Sequence, residues 1–583
     1  MCGIAGYISL DPFDSGSFIK NAVDSLSHRG PDEHGYFSNE KTCLLNTRLS
    51  IIDIEGGSQP FYSENKSMAV VQNGEIYNYL EIRKDLIDLG VKFNTKSDTE
   101  VILKAYEVHG EKCFKLFNGM FSIAILDKNA DKLILCRDRL GVKPLFIYYE
   151  ESKIFFSSEI KTFLNIPSFK KSIDYQSLHN YLKFNYIPIP DTIFDSVKHL
   201  MPGTYVKFST RNLKSETHTY WNISNYKEEK EKESVVLEKI DEILNDAVRI
   251  RLRSDVEIGA FLSGGLDSSL VCSITKQNFG ISLNSFTIGF PEKRFDESDW
   301  AKQVSLLNKI PNNITELDAD IVSLWSETTW FNDQPHGDIS FIPTFYLSKF
   351  ASSKYKVVFT GDGGDESCAG YTKYFSIFEN DMESYFNEIS LVKEDEEFKC
   401  LYTEEFLKKI DLDRPYQIFG DAINEVSEKD DINKILHFDM KHLLPGNNLV
   451  KPDKMAMANS LETRSPMLDY RFFELMFSLP GKDKLKKGET KYILKKFAQK
   501  YLPKEIIYRN KQMFTVPIGE WFKDKLTEYL KEIIFSSRLK KRNIFRESYL
   551  EKIVNQHITG QKDRTRELRA IVNLEIWFRR FID

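Results

Sequence analysis

The most constraining feature of this chain is a strand that runs straight into a glycine-rich loop, and it occurs twice, the first time with a helix behind it. Residues 258–262 predict a buried strand, followed by Ser263-Gly264-Gly265-Leu266-Asp267-Ser268-Ser269 and a helix from Ser268. Residues 356–360 predict another, followed by Gly361-Asp362-Gly363-Gly364-Asp365-Glu366. A further strand is expected at 285–290. Strands that alternate with helices imply a parallel sheet with its ligands at the strands' C-terminal edge. From about residue 375 the apolar spacing is mostly helical, as in Leu568, Ile571, Val572, Ile576 and Trp577.

The first 210 residues or so read differently. Residues 68–71 and 121–126 are apolar runs of strand length. Ile82, Leu86 and Leu89 share one helical face, stopped by Gly90, and Val101, Ile102, Ala105 and Val108 form a second stripe that ends at Gly110. Strands with two helices predict a layered α/β domain with its sheets inside. The run KEEKEKE at 227–233 precedes a helix carrying Val236, Ile240, Ile243, Leu244 and Val248. A boundary is expected near 210–235, giving units at 2–212 and 235–583.

Composition removes several classes. The 583 residues suffice for about four domain-sized units. With 41% apolar and 13% aromatic residues the chain is not mainly disordered. A net charge of −6 argues against nucleic acid as a partner. No apolar run reaches the roughly 18 residues of a membrane span, and no signal peptide is expected at Met1 to Gly6. Seven scattered cysteines without a CxxC pair disfavour disulfides and zinc and favour a reducing cytoplasm.

Cys2 is the most informative single residue. Removal of Met1 would place its thiol beside a free α-amine whose ordinary pKa lies near working pH, at roughly 7.7–8.0. One residue then supplies both nucleophile and base. Asn73-Gly74-Glu75 reads as a type I′ hairpin turn, and the Asn73 amide and the Gly74 N–H also suit an oxyanion. Ser97-Asp98-Thr99-Glu100 reads as a capping box, with Asp98 available to a substrate ammonium. Arg48 suits a carboxylate, gripped by its fork.

The Ser263–Ser269 loop lacks the GKS or GKT ending of a Walker motif. Its glycines let the backbone approach an anion, and its hydroxyls and helix N-terminus supply donors. Asp267 among phosphates would need Mg²⁺ between them. Asp365 reads as a second carboxylate facing it.

Met1-Cys2-Gly3-Ile4-Ala5-Gly6, His28-Arg29-Gly30-Pro31-Asp32, Arg48-Leu49-Ser50-Ile51, Asn73-Gly74-Glu75 and Ser97–Glu100 together resemble the class II glutamine amidotransferase domain, an N-terminal nucleophile hydrolase of αββα architecture. The Ser-Gly-Gly loop resembles that of ATP pyrophosphatases. Lys451, Asp453, Met455, Ser460-Leu461-Glu462, Arg464–Asp469, Gly488–Tyr492, Lys511-Gln512 and Val516-Pro517 resemble the asparagine synthetase family. The resemblance implies that Cys2 attacks the glutamine carboxamide with Asn73 and Gly74 as oxyanion donors. Glutamine would be held by Arg48, Leu49, Ile51, Glu75 and Asp98, with Arg48 on its α-carboxylate and Asp98 and Glu75 near its α-amine. ATP would be held by Leu262, Ser263, Gly264, Gly265, Asp267, Ser268, Ile288, Thr360 and Gly361, and Mg²⁺ by Asp267 and Asp365. Lys491 would stabilise charge as ammonia attacks an acyl-adenylate; read without the family, it is an ordinary helix lysine.

The expected reaction joins ammonia from glutamine to a carboxylate, aspartate first, in a cytoplasmic enzyme with no nucleic-acid or membrane partner and with a homodimer as an expected assembly. Gln334 and His336 depart from the family's usual Asp-Glu-Pro and following Ala-Asp, Ser367-Cys368-Ala369 from an apolar pair, and Met513 from glycine. Gln334, expected near the ATP and acceptor sites, motivates a second reading, the same chemistry on another carboxylate such as a sugar uronic acid of a surface polysaccharide, or an internal cyclisation. A third is a non-catalytic glutamine or nucleotide sensor, against which Cys2, Asp267 and Asp365 speak.

Overall fold

The structure, a computed structural model, describes residues 2–317, 320–378, 382–392, 395–510 and 516–583. Lys511, Gln512 and Met513 of the sequence pattern lie outside the described residues.

Twelve strands come first: β1 (Cys2–Ser9), β2 (Glu33–Ser38), β3 (Thr42–Arg48), β4 (Phe61–Tyr62), β5 (Met68–Ile76), β6 (Gly119–Asp127), β7 (Lys132–Arg137), β8 (Phe146–Tyr149), β9 (Lys153–Ser157), β10 (Val197–His199), β11 (Thr204–Ser209) and β12 (Ser215–Thr219). They form two antiparallel sheets, ordered β10-β8-β9-β1-β3-β2 and β12-β11-β7-β6-β5-β4.

The pleat explains why all of β1 is buried. Ile4 and Ile8 pack with Ala69, Val71 and Leu126 of the second sheet. Ala5 and Tyr7 point the other way, onto Phe18, Ala22 and Leu26 of α1 (Ser15–Leu26). In the second sheet Ala124 and Leu126 face the first, while Ile123 and Ile125 face Ile82, Leu86 and Ile102 of α2 (Tyr79–Asp88) and α3 (Asp98–His109). The layers are helix, sheet, sheet, helix, the architecture of an N-terminal nucleophile hydrolase. A further helix, α4 (Tyr175–Phe184), meets the C-terminal part of the chain.

Two local expectations are corrected. Asn73-Gly74 is not a hairpin turn; both residues lie inside β5, opposite Ser122 and Phe121 of β6. Nine residues of cross-strand pairing override the local turn preference. Glycine is needed there for another reason: Gly74 has φ 140°, and a Cβ would stand 1.9 Å from the Met120 carbonyl oxygen. The capping box is half formed. Ser97 Oγ accepts from the Thr99 N–H at 3.1 Å. Glu100 instead accepts from the N–H groups of Asn94 and Thr95, each at 2.8 Å.

After α5 (Glu233–Arg251) come β13 (Ile258–Phe261), α6 (Leu266–Phe279), β14 (Asn284–Gly289), β15 (Asn312–Glu316), β16 (Val357–Phe359) and β17 (Glu462–Arg464). The five strands form a parallel sheet ordered β15-β14-β13-β16-β17. The order grows outward from β13 on one side and from β16 on the other, so the switch point lies between them. Both glycine loops leave the C-terminal ends of those two strands. The rest is mainly helical. The last helix, Thr565–Phe581, buries Leu568, Ile571, Val572, Ile576 and Trp577 as its spacing predicts. Tyr181 of α4 donates to the Ala570 carbonyl at 2.8 Å, and Trp577 shares a core with Phe194 and Phe155. The two parts of the chain are therefore packed into one body. Among the described residues no helix is long and apolar enough to cross a membrane.

Candidate active sites

Cys2 opens β1 opposite Arg48, the last residue of β3. It has the parity of Ile4 and Ile8, so its side chain points between the sheets, where it is 5% exposed. The Cys2 N–H donates to Asn73 Oδ1 at 3.4 Å. Asn73 Nδ2 donates to Ser158 Oγ at 3.3 Å, and Ser158 Oγ accepts from the Ile4 N–H at 3.0 Å. The thiol residue and the amide thus stand on facing sheets, tied through β1. Burial pushes the Cys2 thiol up, while Asn46, the Leu49 N–H and Arg48 act against it.

Arg48 is committed locally. Its guanidinium donates to the carbonyls of Ile52 at 3.1 Å, Asp53 at 2.7 Å and Ile54 at 3.2 Å, and pairs with Glu33. It holds the loop in which Leu49 and Ile51 are buried. The Asp98 carboxylate accepts from the Ile76 N–H at 2.9 Å and from Gln72 Nε2 at 3.1 Å. Burial pushes this carboxyl up against those bonds. Glu75 is directed toward the C-terminal part, with Oε1 3.6 Å from Arg464 Nη2. Burial raises its carboxyl strongly, Glu462 and Asp98 add to this, and Arg464 opposes.

The second cluster sits at the sheet's switch point. Lys491 Nζ is 2.5 Å from Asp267 Oδ2 and 2.7 Å from Asp365 Oδ1. Lys491 is not inside a helix; it stands at φ 55° just before the helix Tyr492–Ala498. Burial disfavours its charge, but the two carboxylates outweigh that and hold its pKa above the ordinary lysine range.

Asp267 lies in the first turn of α6. Gly264 has φ 69°, and a Cβ there would stand 2.5 Å from the Ala301 nitrogen. Ser263 Oγ accepts from the Gly265 N–H at 3.2 Å and lies 3.2 Å from Ser268 Oγ. A Cβ on Gly361 would be 2.6 Å from the Ser268 nitrogen, so the second loop rests on the first. Leu262 and Ile288 are buried beside β13 and in β14, and the Thr360 N–H donates to the Arg464 carbonyl at 2.9 Å. Two carboxylates that converge on one ammonium also suit a shared Mg²⁺, a hard cation that takes carboxylate, phosphate and water oxygens.

At the seam lies a small pocket of mixed lining, with Tyr77, Met120 and Lys143 from the N-terminal part and Arg251, Asp362 and Asp453 from the C-terminal part. An apolar cluster of Leu49, Ile51, Tyr77 and Met120 with Ile250, Val357 and Met457 crosses the same seam.

Sequence reasoning named Asp453 and Arg29 in separate motifs and missed that they meet. Asp453 lies 3.1 Å from Arg29 Nη2 and 3.0 Å from Lys143 Nζ. Arg509 Nε donates to the Gly264 carbonyl at 2.9 Å, bracing the first glycine loop. No local pattern announces either contact. Gln334 contacts the N-terminal part. Its Oε1 accepts from the Ile193 N–H at 3.0 Å and its Nε2 lies 3.3 Å from His199 Nε2. These contacts make it a seam residue, anchored on the N-terminal part. His336 is buried, which lowers its pKa to about 4 and keeps the ring neutral.

The asparagine synthase family profile matches residues 239–579, more than half of the chain. The chain belongs to the asparagine synthase family. A glutamine amidotransferase domain profile matches residues 1–221. The glutamine-hydrolysing asparagine synthetase 1 of Bacillus subtilis is 31% identical over 614 aligned residues, covering 99% of this chain and 96% of its own. A putative glutamine-hydrolysing asparagine synthetase 2 of Methanocaldococcus jannaschii is 35% identical over 405 residues, covering 66% of this chain and 78% of its own. A Gibberella zeae protein named amidase chry2 is 26% identical over 620 residues and covers 92% of each chain. The protein is a glutamine-dependent amidotransferase of the asparagine synthase type, a family that uses ATP and a carboxylate acceptor.

Proposed function

We propose that the protein hydrolyses glutamine at Cys2 and passes the ammonia to an acyl-adenylate, with aspartate as the acceptor and asparagine, AMP and pyrophosphate as products. The observation that carries this reading is the seam: a buried thiol at the head of β1 and a carboxylate–lysine–carboxylate cluster belong to one packed body, whose two parts share an apolar cluster of Leu49, Ile51, Tyr77 and Met120 with Ile250, Val357 and Met457.

The Cys2 thiol attacks the glutamine carboxamide, and its own α-amine, freed by loss of Met1, takes the thiol proton. Because burial disfavours a standing thiolate, proton transfer accompanies attack. Asn73 Nδ2 and the Gly74 N–H donate to the oxyanion. Ammonia leaves the thioester, and water then releases glutamate. Arg48 offers a fork whose carboxylate partner is now Glu33, and the glutamine α-carboxylate takes that place. Asp98 and Glu75 supply negative charge for its α-ammonium.

At the second centre the glycine loops hold the triphosphate, with Leu262, Ile288 and Thr360 around the nucleotide. The acceptor carboxylate attacks the α-phosphorus and pyrophosphate leaves. Mg²⁺ on Asp267 and Asp365 would shield the phosphate charge. Lys491 stabilises the negative charge that develops as ammonia attacks the adenylate and AMP departs. Ammonia must travel as neutral NH₃, since ammonium has no lone pair to attack with, and burial favours the neutral form. Seven cysteines without a disulfide fit a cytoplasmic enzyme.

Purified protein given ATP, glutamine and aspartate should release asparagine, glutamate and pyrophosphate in equal amounts. Cys2→Ala should abolish the glutamine-supported reaction and leave the ammonium-supported one. Pyrophosphate release with another acid but none with aspartate would reassign the acceptor, and glutamine-supported synthesis by Cys2→Ala would refute the thiol step.

A further inference from the structure

One short helix, Val450–Met457, lies at the seam between the two parts of the chain. Its Lys451 donates to Ser340 Oγ at 3.0 Å and lies 3.7 Å from Asp338. Its Lys454 lies 2.5 Å from Asp333 and 3.6 Å from Glu159. Between them Asp453, 3% exposed, points into the seam. Asp453 Oδ1 accepts from Arg29 Nη2 at 3.1 Å and from Lys143 Nζ at 3.0 Å, and Oδ2 lies 3.0 Å from Arg29 Nη1. Arg29 is fully buried, and its Nε donates to the backbone carbonyl of Cys2 at 3.2 Å. Its Nη1 donates to Glu159 at 2.9 Å. A carboxylate of the C-terminal part is thus one guanidinium away from the nucleophile's own peptide group.

We propose that Asp453 is a positioning residue through which the helix Val450–Met457 sets the Arg29 guanidinium and, with it, the Cys2 end of β1. The inference rests on the amidotransferase reading above. Asp453 touches neither the thiol nor the nucleotide loops; it acts by fixing the group that holds Cys2. The charge is needed as well as the shape. Without it Arg29 and Lys143 remain buried with less negative charge between them, and a buried cation that loses its partner relocates or drags its surroundings with it. A fork held on two edges by Asp453 and Glu159 cannot turn, so the Nε–H stays aimed at the Cys2 carbonyl. Displacement of a nucleophile by about 1 Å is enough to cost about a hundredfold in rate.

The test compares nitrogen sources in the full-length enzyme. Asp453→Asn should keep ammonium-supported pyrophosphate release within about twofold of the parent, while kcat for glutamine hydrolysis falls by about tenfold or more. The glutamine KM should move less than kcat, because Arg48 and Asp98 are untouched. Asp453→Glu, which keeps the charge but lengthens the arm, should recover part of the lost kcat. Ammonium-supported activity reports on folding within the same sample, and Asp453→Glu gives a second reading if the asparagine variant folds poorly. A parallel fall with both nitrogen sources in both variants, or no change in either, overturns the proposal. Failure of the parent itself to make glutamate and pyrophosphate would overturn the underlying reading instead.

Discussion

Lys491 stands between Asp267 at 2.5 Å and Asp365 at 2.7 Å, 5% exposed and strongly held in its charged form. Its ammonium is a compact charge between two oxygens, a geometry that a planar guanidinium does not reproduce. Lys491→Met should lower amide formation by about a hundred- to a thousandfold, the usual cost of losing one preorganised donor at a developing charge. Lys491→Arg should recover little of it, and glutamine hydrolysis by Cys2 should survive in both, as glutamate release would show. At this scale the sequence was legible where chemistry is compressed into short patterns. Cys2, Asn73, Arg48, Asp267 and Asp365 stand in motifs a few residues long, and the structure gathers the first three around one point and the last two around another. Asp453 and Arg29 were not legible as a pair, since 424 residues separate them and only the packed seam joins them. Glu75 was expected, from the family resemblance, near the α-amine of glutamine, and its turn toward Arg464 depends on the C-terminal part.

Among the elements, β5 shows how a local preference loses to pairing. Asn-Gly favours a two-residue turn, yet residues on both sides pair in register with β6 from Met68↔Asp127 to Ile76↔Gly119. What the strand requires of position 74 is the absence of a Cβ, at φ 140° and against the Met120 carbonyl oxygen. Gly74→Ala should therefore destabilise the protein by about 1–3 kcal/mol, the cost of one residue forced into disfavoured backbone. Urea-unfolding curves would measure it, and glutamine hydrolysis should fall more than ammonium-supported synthesis because the neighbouring Asn73 accepts from the Cys2 N–H. The glycine loops after β13 and β16 were read correctly because a strand, a glycine turn and a helix leave few other folds available. Lys491 was read as a helix lysine because nothing in Gly488–Tyr492 marks the single φ 55° residue that starts the helix.

Across the whole molecule, the seam is held by buried ions as well as by apolar packing. Trp577, Phe194 and Phe155 share one core though they lie far apart in the chain, and no sequence period predicts that meeting. The ion network adds a dependence on acid. Burial alone would raise the Asp453 carboxyl, but Arg29 and Lys143 hold it at about 2. An unfolded aspartate titrates near 3.9, so the folded protein binds fewer protons between these values. The contribution is complete above about pH 5 and is lost as the pH falls through about 2, amounting to about 2–3 kcal/mol. Parent and Asp453→Asn should differ most in unfolding free energy between pH 5 and 7, where the carboxylate is charged and its two cations are matched. The gap should narrow steadily from pH 4 toward pH 2 as the parent's carboxyl takes up its proton and comes to resemble the amide. Urea titrations at each pH would follow that gap, and a difference that stays constant down to pH 2 would mean that Asp453 holds the seam by shape rather than by charge.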